Sequence, residues 1–166
     1  MLYKYNDEEE QLPPLTEELI ELIQGQTNFI SNASNMASLI FYSLKDLNWA
    51  GFYMLSGDEL ILGPFQGKPA CQKIDLGKGV CGSSAKNLKP ILVNNVHEFP
   101  GHIACDPMSR SEMVVPIIFK QKLIGVLDID SPIFDRFTNS DLELAEDMIS
   151  IILENSDIES ISNYYA

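Results

Sequence analysis

EMVVPIIFKQKLIGVLDID, residues 112–130, decides the fold. Two apolar runs, 112–119 and 122–130, flank a tight polar turn at Lys120-Gln121. That pattern predicts an antiparallel β-hairpin. Side chains alternate faces along a strand. Ile124, Val126, Asp128 and Asp130 therefore share one face, and Glu112, Val114, Pro116 and Ile118 share one face of the preceding strand. If the hairpin pairs around 120–121, Glu112 lies near the Asp130 end and three carboxylates converge. Acids held together repel, so one keeps its proton near neutral pH. Such a cluster needs a cationic or proton-accepting ligand. The plainer alternative is a strand running out into solvent, with Glu112 a surface acid at a strand start.

Upstream, residues 48–55 (NWAGFYML) and 59–65 (ELILGPF) read as two more strands, joined through Ser56-Gly57-Asp58. Trp49, Gly51 and Tyr53 share one face of the first. Aromatic residues there are ordinary core, or they wall a pocket for a thioether or a cation. Residues 71–76 and 91–93 are candidate short strands, and a short helix is expected from Val80 to Lys86. Residues 94–111 have no periodicity, and loops of that length tend to carry function.

Helices are expected at both ends. One runs from Thr16 to about Gln24, stopped by Gly25. A second spans about Asn28 to Lys45, with Ile30, Ala33, Ala37, Ile40, Leu44 and Leu47 at spacings of three and four. Thr138, with Asp141 three positions on, predicts a capping box opening a last helix. Its core face is Leu142, Ala145, Ile149 and Ile152/Leu153. Beyond Ser156 the tail is polar, frayed or loosely helical. Helices around a mostly antiparallel sheet make an α+β layered domain.

The 166 residues suit one domain, 1–166, with a core of about 27–154, an acidic leader 1–14 and a polar tail 156–166. A formal net charge of −13 without any basic run argues against nucleic acid. No apolar stretch approaches the roughly 20 residues that span a bilayer. The leader lacks a secretory pattern, so the expected location is the cytoplasm.

A reducing compartment argues against a disulfide framework for the three cysteines, Cys71, Cys81 and Cys105. Their spacing, even with His97 and His102, matches no standard zinc pattern, so no metal is expected. Cys81 follows a Gly-Lys-Gly turn and Cys105 sits in the irregular loop. Neither place looks like a core strand, which favours exposed, working thiols over inert ones. Asp106, beside Cys105, would raise that thiol's pKa unless backbone amides or His102 oppose it.

Taken together, NWAGFY (48–53), GPFQGKPAC (63–71), GKGVCG (77–82), FPGHIACD (99–106), SEMVVPI (111–117) and LIGVLDIDSP (123–132) resemble the free methionine-R-sulfoxide reductases, a catalytic branch of GAF domains. The chain departs from the family pattern at Asn95, where an Asp is common. The resemblance implies a six-stranded antiparallel sheet with helices packed on it. It implies that Cys105 attacks the sulfoxide sulfur, that Cys71 or Cys81 resolves the resulting sulfenic acid as a disulfide, and that thioredoxin, fed by NADPH through thioredoxin reductase, restores the thiols. It assigns Glu112, Asp128 and Asp130 to substrate binding, with Trp49 and Tyr53 as pocket walls, and no bound cofactor. An acidic pocket suits the free amino acid, whose α-ammonium a peptide-bound residue lacks. The alternatives are a non-catalytic GAF sensor and a redox-sensing partner protein. Oligomeric state stays open, a homodimer among the options.

Overall fold

The computed structural model describes residues 14–101 and 106–164. The leader before Pro14, the loop residues His102 to Cys105, and the last two residues lie outside that description. Six strands form one sheet: β1 (Trp49–Ser56), β2 (Glu59–Gly67), β3 (Lys73–Asp75), β4 (Ile91–Val93), β5 (Ser111–Phe119) and β6 (Lys122–Ser131). Their order is β3-β2-β1-β6-β5-β4, and every neighbouring pair is antiparallel. The helices are α1 (Leu15–Ile23), α2 (Phe29–Ser43), α3 (Gly79–Asn87), α4 (Asn139–Asn155) and α5 (Ile158–Tyr164).

The expected hairpin is present. Lys120 and Gln121 both have positive φ, 48° and 64°, as a two-residue turn matched to strand twist requires. Its register pairs Glu112 with Asp130 and Val114 with Asp128. On the other side of β6, β1 pairs Trp49 with Asp130 and Gly51 with Asp128. Strand alternation therefore puts the acids and the aromatic residues on one face.

The opposite face is apolar. Ala50, Phe52, Met54, Met113, Val115, Ile117, Leu127 and Ile129 join buried residues of α1, α2, α4 and α5. Phe52 meets Phe29 edge-on at 6.2 Å. Truncating either ring would cost about 3–5 kcal/mol. Caps fix the helix starts: the Asn28 side chain accepts from the Ser31 amide, and Thr138 with Asp141 forms the predicted capping box. Ile149 and Ile152 are buried as expected, as is Met148, which the periodicity missed. The tail is more ordered than expected. Ile158 and Ile161 are buried, and the Asp157 amide donates to the Thr27 carbonyl. Spaced apolar residues anchor α5 despite its polar composition.

Among the described residues no helix is long and apolar enough to cross a membrane.

Candidate active site

The second face carries the chemistry. Trp49, Tyr53, Val114 and Val126 pack with Val80, Cys81 and Ala85 of α3. Gly82 makes this approach possible, because a Cβ there would collide with the Asp75 carbonyl. The Gly77 amide donates to the Gly82 carbonyl at 2.7 Å and closes the GKGVCG turn. The result holds Cys81 over the acidic end of β5 and β6.

Glu112 and Asp128 are each 6% exposed, so neither is a surface acid. One donor atom from each of Cys81, Glu112 and Asp128 lies within 4.8 Å of the other two. They could converge on one small cation, metal or ammonium. Cys81 Sγ lies 3.9 Å from Glu112 Oε1 and donates to it. Burial pushes the Glu112 carboxyl well up, and the neighbouring Asp128 and Asp130 charges push it further. Burial also raises Asp128, to about 6, against hydrogen bonds with Cys81 and Glu112 that favour its ionised form. Asp130, only partly buried, is raised by desolvation and by Asp128. Glu112 and Asp130 are both pushed toward holding a proton, and Asp128 accepts a hydrogen bond from Glu112. Among the described residues Asp128 Oδ1 is buried with no hydrogen-bond partner. A buried acceptor left unpaired is costly, so this atom invites a donor from a ligand.

The acids floor a cleft lined also by Lys78, Cys81 and Ser109. A second, adjoining cleft shares Asp106, Asp128 and Asp130 and is walled by Trp49, Tyr53 and Pro69. Trp49 stacks on Tyr53 at 5.8 Å and on Phe65 at 5.3 Å. Gly51 makes room for the indole, whose Cη2 lies 2.7 Å from where a Cβ would stand. The Tyr53 hydroxyl donates to the Cys71 carbonyl at 3.1 Å, and Trp49 Nε1 donates to the Lys68 carbonyl at 3.2 Å. The two aromatic residues thus serve both as core and as pocket wall.

The cysteines differ. Cys71 is disulfide-bonded and half-buried, whereas Cys81 is a free thiol, 3% exposed. The expectation of an exposed Cys81 is corrected: the short helix expected over 80–86 is present as α3, but it packs on the sheet and buries the thiol. Burial raises the Cys81 thiol, and Asp128 and Glu112 raise it further. Cys105, expected to work here, and His102, one of the groups that could oppose Asp106 in setting its pKa, lie outside the described residues. His97 is exposed and packs edge-on against Phe134 instead. Asn95 caps the turn at 96–98, accepting from the His97 amide and donating to Glu98.

Asn48, Lys68 and Ser109, given no role from sequence, meet around Asp106. Asp106, 8% exposed, accepts from the Met108 amide at 2.9 Å and from Asn48 Nδ2 at 3.1 Å, and it pairs with Lys68 Nζ at 3.4 Å. The Met108 amide bond is the largest cause holding its pKa below the usual carboxylate range. Asn48 Nδ2 also donates to Ser109 Oγ at 3.0 Å. The missed signal is Lys68, a cation three residues from Cys71 in a chain of net charge −13.

Residues 7–155 match the family model described as GAF domain. The chain is 50% identical over 120 residues to the free methionine-R-sulfoxide reductase of Escherichia coli, covering 72% of this chain and 73% of that protein. It is 48% identical over 139 residues to the free methionine-R-sulfoxide reductase of Saccharomyces cerevisiae, covering 79% and 77%. The solved structure of fRMsr of Staphylococcus aureus in complex with substrate matches with TM-score 0.81 at 48% identity, over 85% of this chain and 92% of that one.

Proposed function

The chain belongs to the free methionine-R-sulfoxide reductase family of GAF domains, and we propose that it reduces the free amino acid sulfoxide through Cys105, with the three acids holding the substrate. The reductase relatives and the substrate-bound neighbour favour an enzyme over a sensor.

The observation that carries the site assignment is Asp128 Oδ1, a buried carboxylate oxygen with no partner among the described residues, set among acids that repel one another. The α-ammonium of a free amino acid supplies the missing donor and offsets the negative charge. The Trp49–Tyr53 wall takes the methyl and thioether end.

In the reaction the Cys105 thiolate attacks the sulfoxide sulfur and Glu112, an acid pushed toward holding its proton, protonates the departing oxygen. The S–S bond so formed breaks as the protonated oxygen passes from the substrate sulfur to Cys105, leaving a sulfenic acid there. The substrate sulfur gains two electrons, Cys105 loses two, and methionine leaves. Cys71 resolves the sulfenic acid: it is disulfide-bonded, while Cys81 is a buried free thiol held against Glu112. The Cys71 thiolate attacks the Cys105 sulfur, the S–O bond breaks, and the departing hydroxide takes a proton as water. A dithiol donor, thioredoxin with NADPH behind it, then reduces the disulfide by exchange. That cycle belongs in a reducing compartment, the cytoplasm.

The test compares free methionine-R-sulfoxide with its N-acetyl derivative, which cannot present an ammonium. Loss of about 10²-fold or more in kcat/KM is expected for the acetylated form. Equal rates on both would remove the acids from substrate binding.

A further inference from the structure

The segments carrying Cys71 and Cys105 must come together in every turnover, and Asp106 is the residue that follows Cys105 in the chain. Its carboxylate is held from three directions: by the Met108 amide in its own loop, by Asn48 at the entry to β1, and by Lys68 just past the end of β2. Lys68 lies three residues before Cys71. That segment is itself pinned to the pocket wall, Trp49 Nε1 bonding the Lys68 carbonyl and the Tyr53 hydroxyl the Cys71 carbonyl.

We propose that the Lys68–Asp106 ion pair is a positioning device that holds the Cys71 segment against the Cys105 segment and speeds the resolution of the sulfenic acid. The inference rests on the reductase reading above. Once thioredoxin has opened the disulfide, no covalent link joins the two segments, and the pair is the link proposed to remain. It leaves Cys71 presented to Cys105 as an intramolecular nucleophile, at a high effective concentration. The reaction served is Cys71–SH plus Cys105–SOH giving the disulfide and water. Speed matters because a sulfenic acid left waiting oxidises further, irreversibly. The first chemical step does not depend on Lys68. The Met108 amide and Asn48 continue to stabilise the Asp106 charge beside the nucleophile without it.

The experiment mixes reduced wild type, Lys68→Met and Lys68→Arg with free methionine-R-sulfoxide in the absence of any reductant. Methionine release reads the first step. Intact mass, with and without dimedone, reads sulfenic acid against disulfide. In Lys68→Met the methionine burst is expected to stay within about twofold of wild type. Disulfide formation should slow about threefold to fivefold, the worth of a partly exposed ion pair, with a matching rise in dimedone adduct. Lys68→Arg should recover. Raising ionic strength should slow disulfide formation in wild type and leave Lys68→Met unchanged. An unchanged rate of disulfide formation in Lys68→Met, or an equal fall in both steps, would overturn the proposal. Absence of a methionine burst in wild type would instead overturn the reductase reading and the proposal with it.

Discussion

Glu112 on β5 and Asp130 on β6 are direct register partners across an antiparallel pair. Like charges directly opposite are destabilising in a sheet. Asp128, two residues along β6, adds a third acid to the same face. The arrangement is kept in spite of the repulsion because burial and mutual repulsion hold a proton on the cluster, Glu112 being among the acids pushed well up.

Glu112→Gln should lower the rate of methionine release by about 10²-fold or more, the usual worth of a general acid. An acid acts while protonated, so its contribution is present below its pKa and lost as pH rises through it. Glu112 is raised by burial and by Asp128, so wild type should show a limb falling with rising pH in single-turnover methionine release. That limb should flatten in Glu112→Gln. A limb of unchanged shape in the variant would assign the proton to another group.

Asp128→Asn should stabilise the substrate-free protein near neutral pH while weakening function. The folded-state pKa of Asp128 is about 6, raised from 3.8. A raised carboxyl favours folding below its unfolded pKa, and that advantage is lost as pH climbs through the folded value. Above about pH 6 the ionised buried group therefore burdens the native state, by about 1–3 kcal/mol. Thermal melts at pH 7.5 should show a Tm gain of several degrees for Asp128→Asn, shrinking toward none near pH 4. A variant less stable at both pH values would contradict this.

Gly51→Ala should damage the aromatic wall. A Cβ there meets Trp49 Cη2 and the Phe65 backbone, and strand pairing with β2 and β6 gives it no room to move. Loss of about 1–3 kcal/mol of stability is expected. KM for the sulfoxide should rise as the Trp49 ring leaves its stack on Tyr53. Tryptophan fluorescence reads the change directly, since Trp49 is the sole tryptophan. An unaltered spectrum with unaltered KM would show that the indole does not need this position.

Much of this site was legible because strand alternation is a rigid rule. Once 112–119 and 122–130 are strands, Glu112, Asp128 and Asp130 must share a face, and a two-residue turn sets Glu112 beside Asp130. The placement of Trp49 and Tyr53 follows in the same way from β1. Contacts between loops do not follow from any period. Asn48, Lys68 and Asp106 meet across 38 to 58 residues of sequence, and nothing local in FQGKPAC or ACDPM announces the pairing. Cys81 was misjudged for a related reason. The short helix over 80–86 is legible, but its packing is not: Gly82 lets it sit so close to β3 that the thiol is buried.

The most direct test is turnover of free methionine-R-sulfoxide with thioredoxin, thioredoxin reductase and NADPH, comparing wild type with Cys105→Ser. Wild type should consume NADPH in step with methionine produced, and the serine variant should do neither while still folding and still binding the sulfoxide. Retention of wild-type turnover by Cys105→Ser would contradict the account at its base.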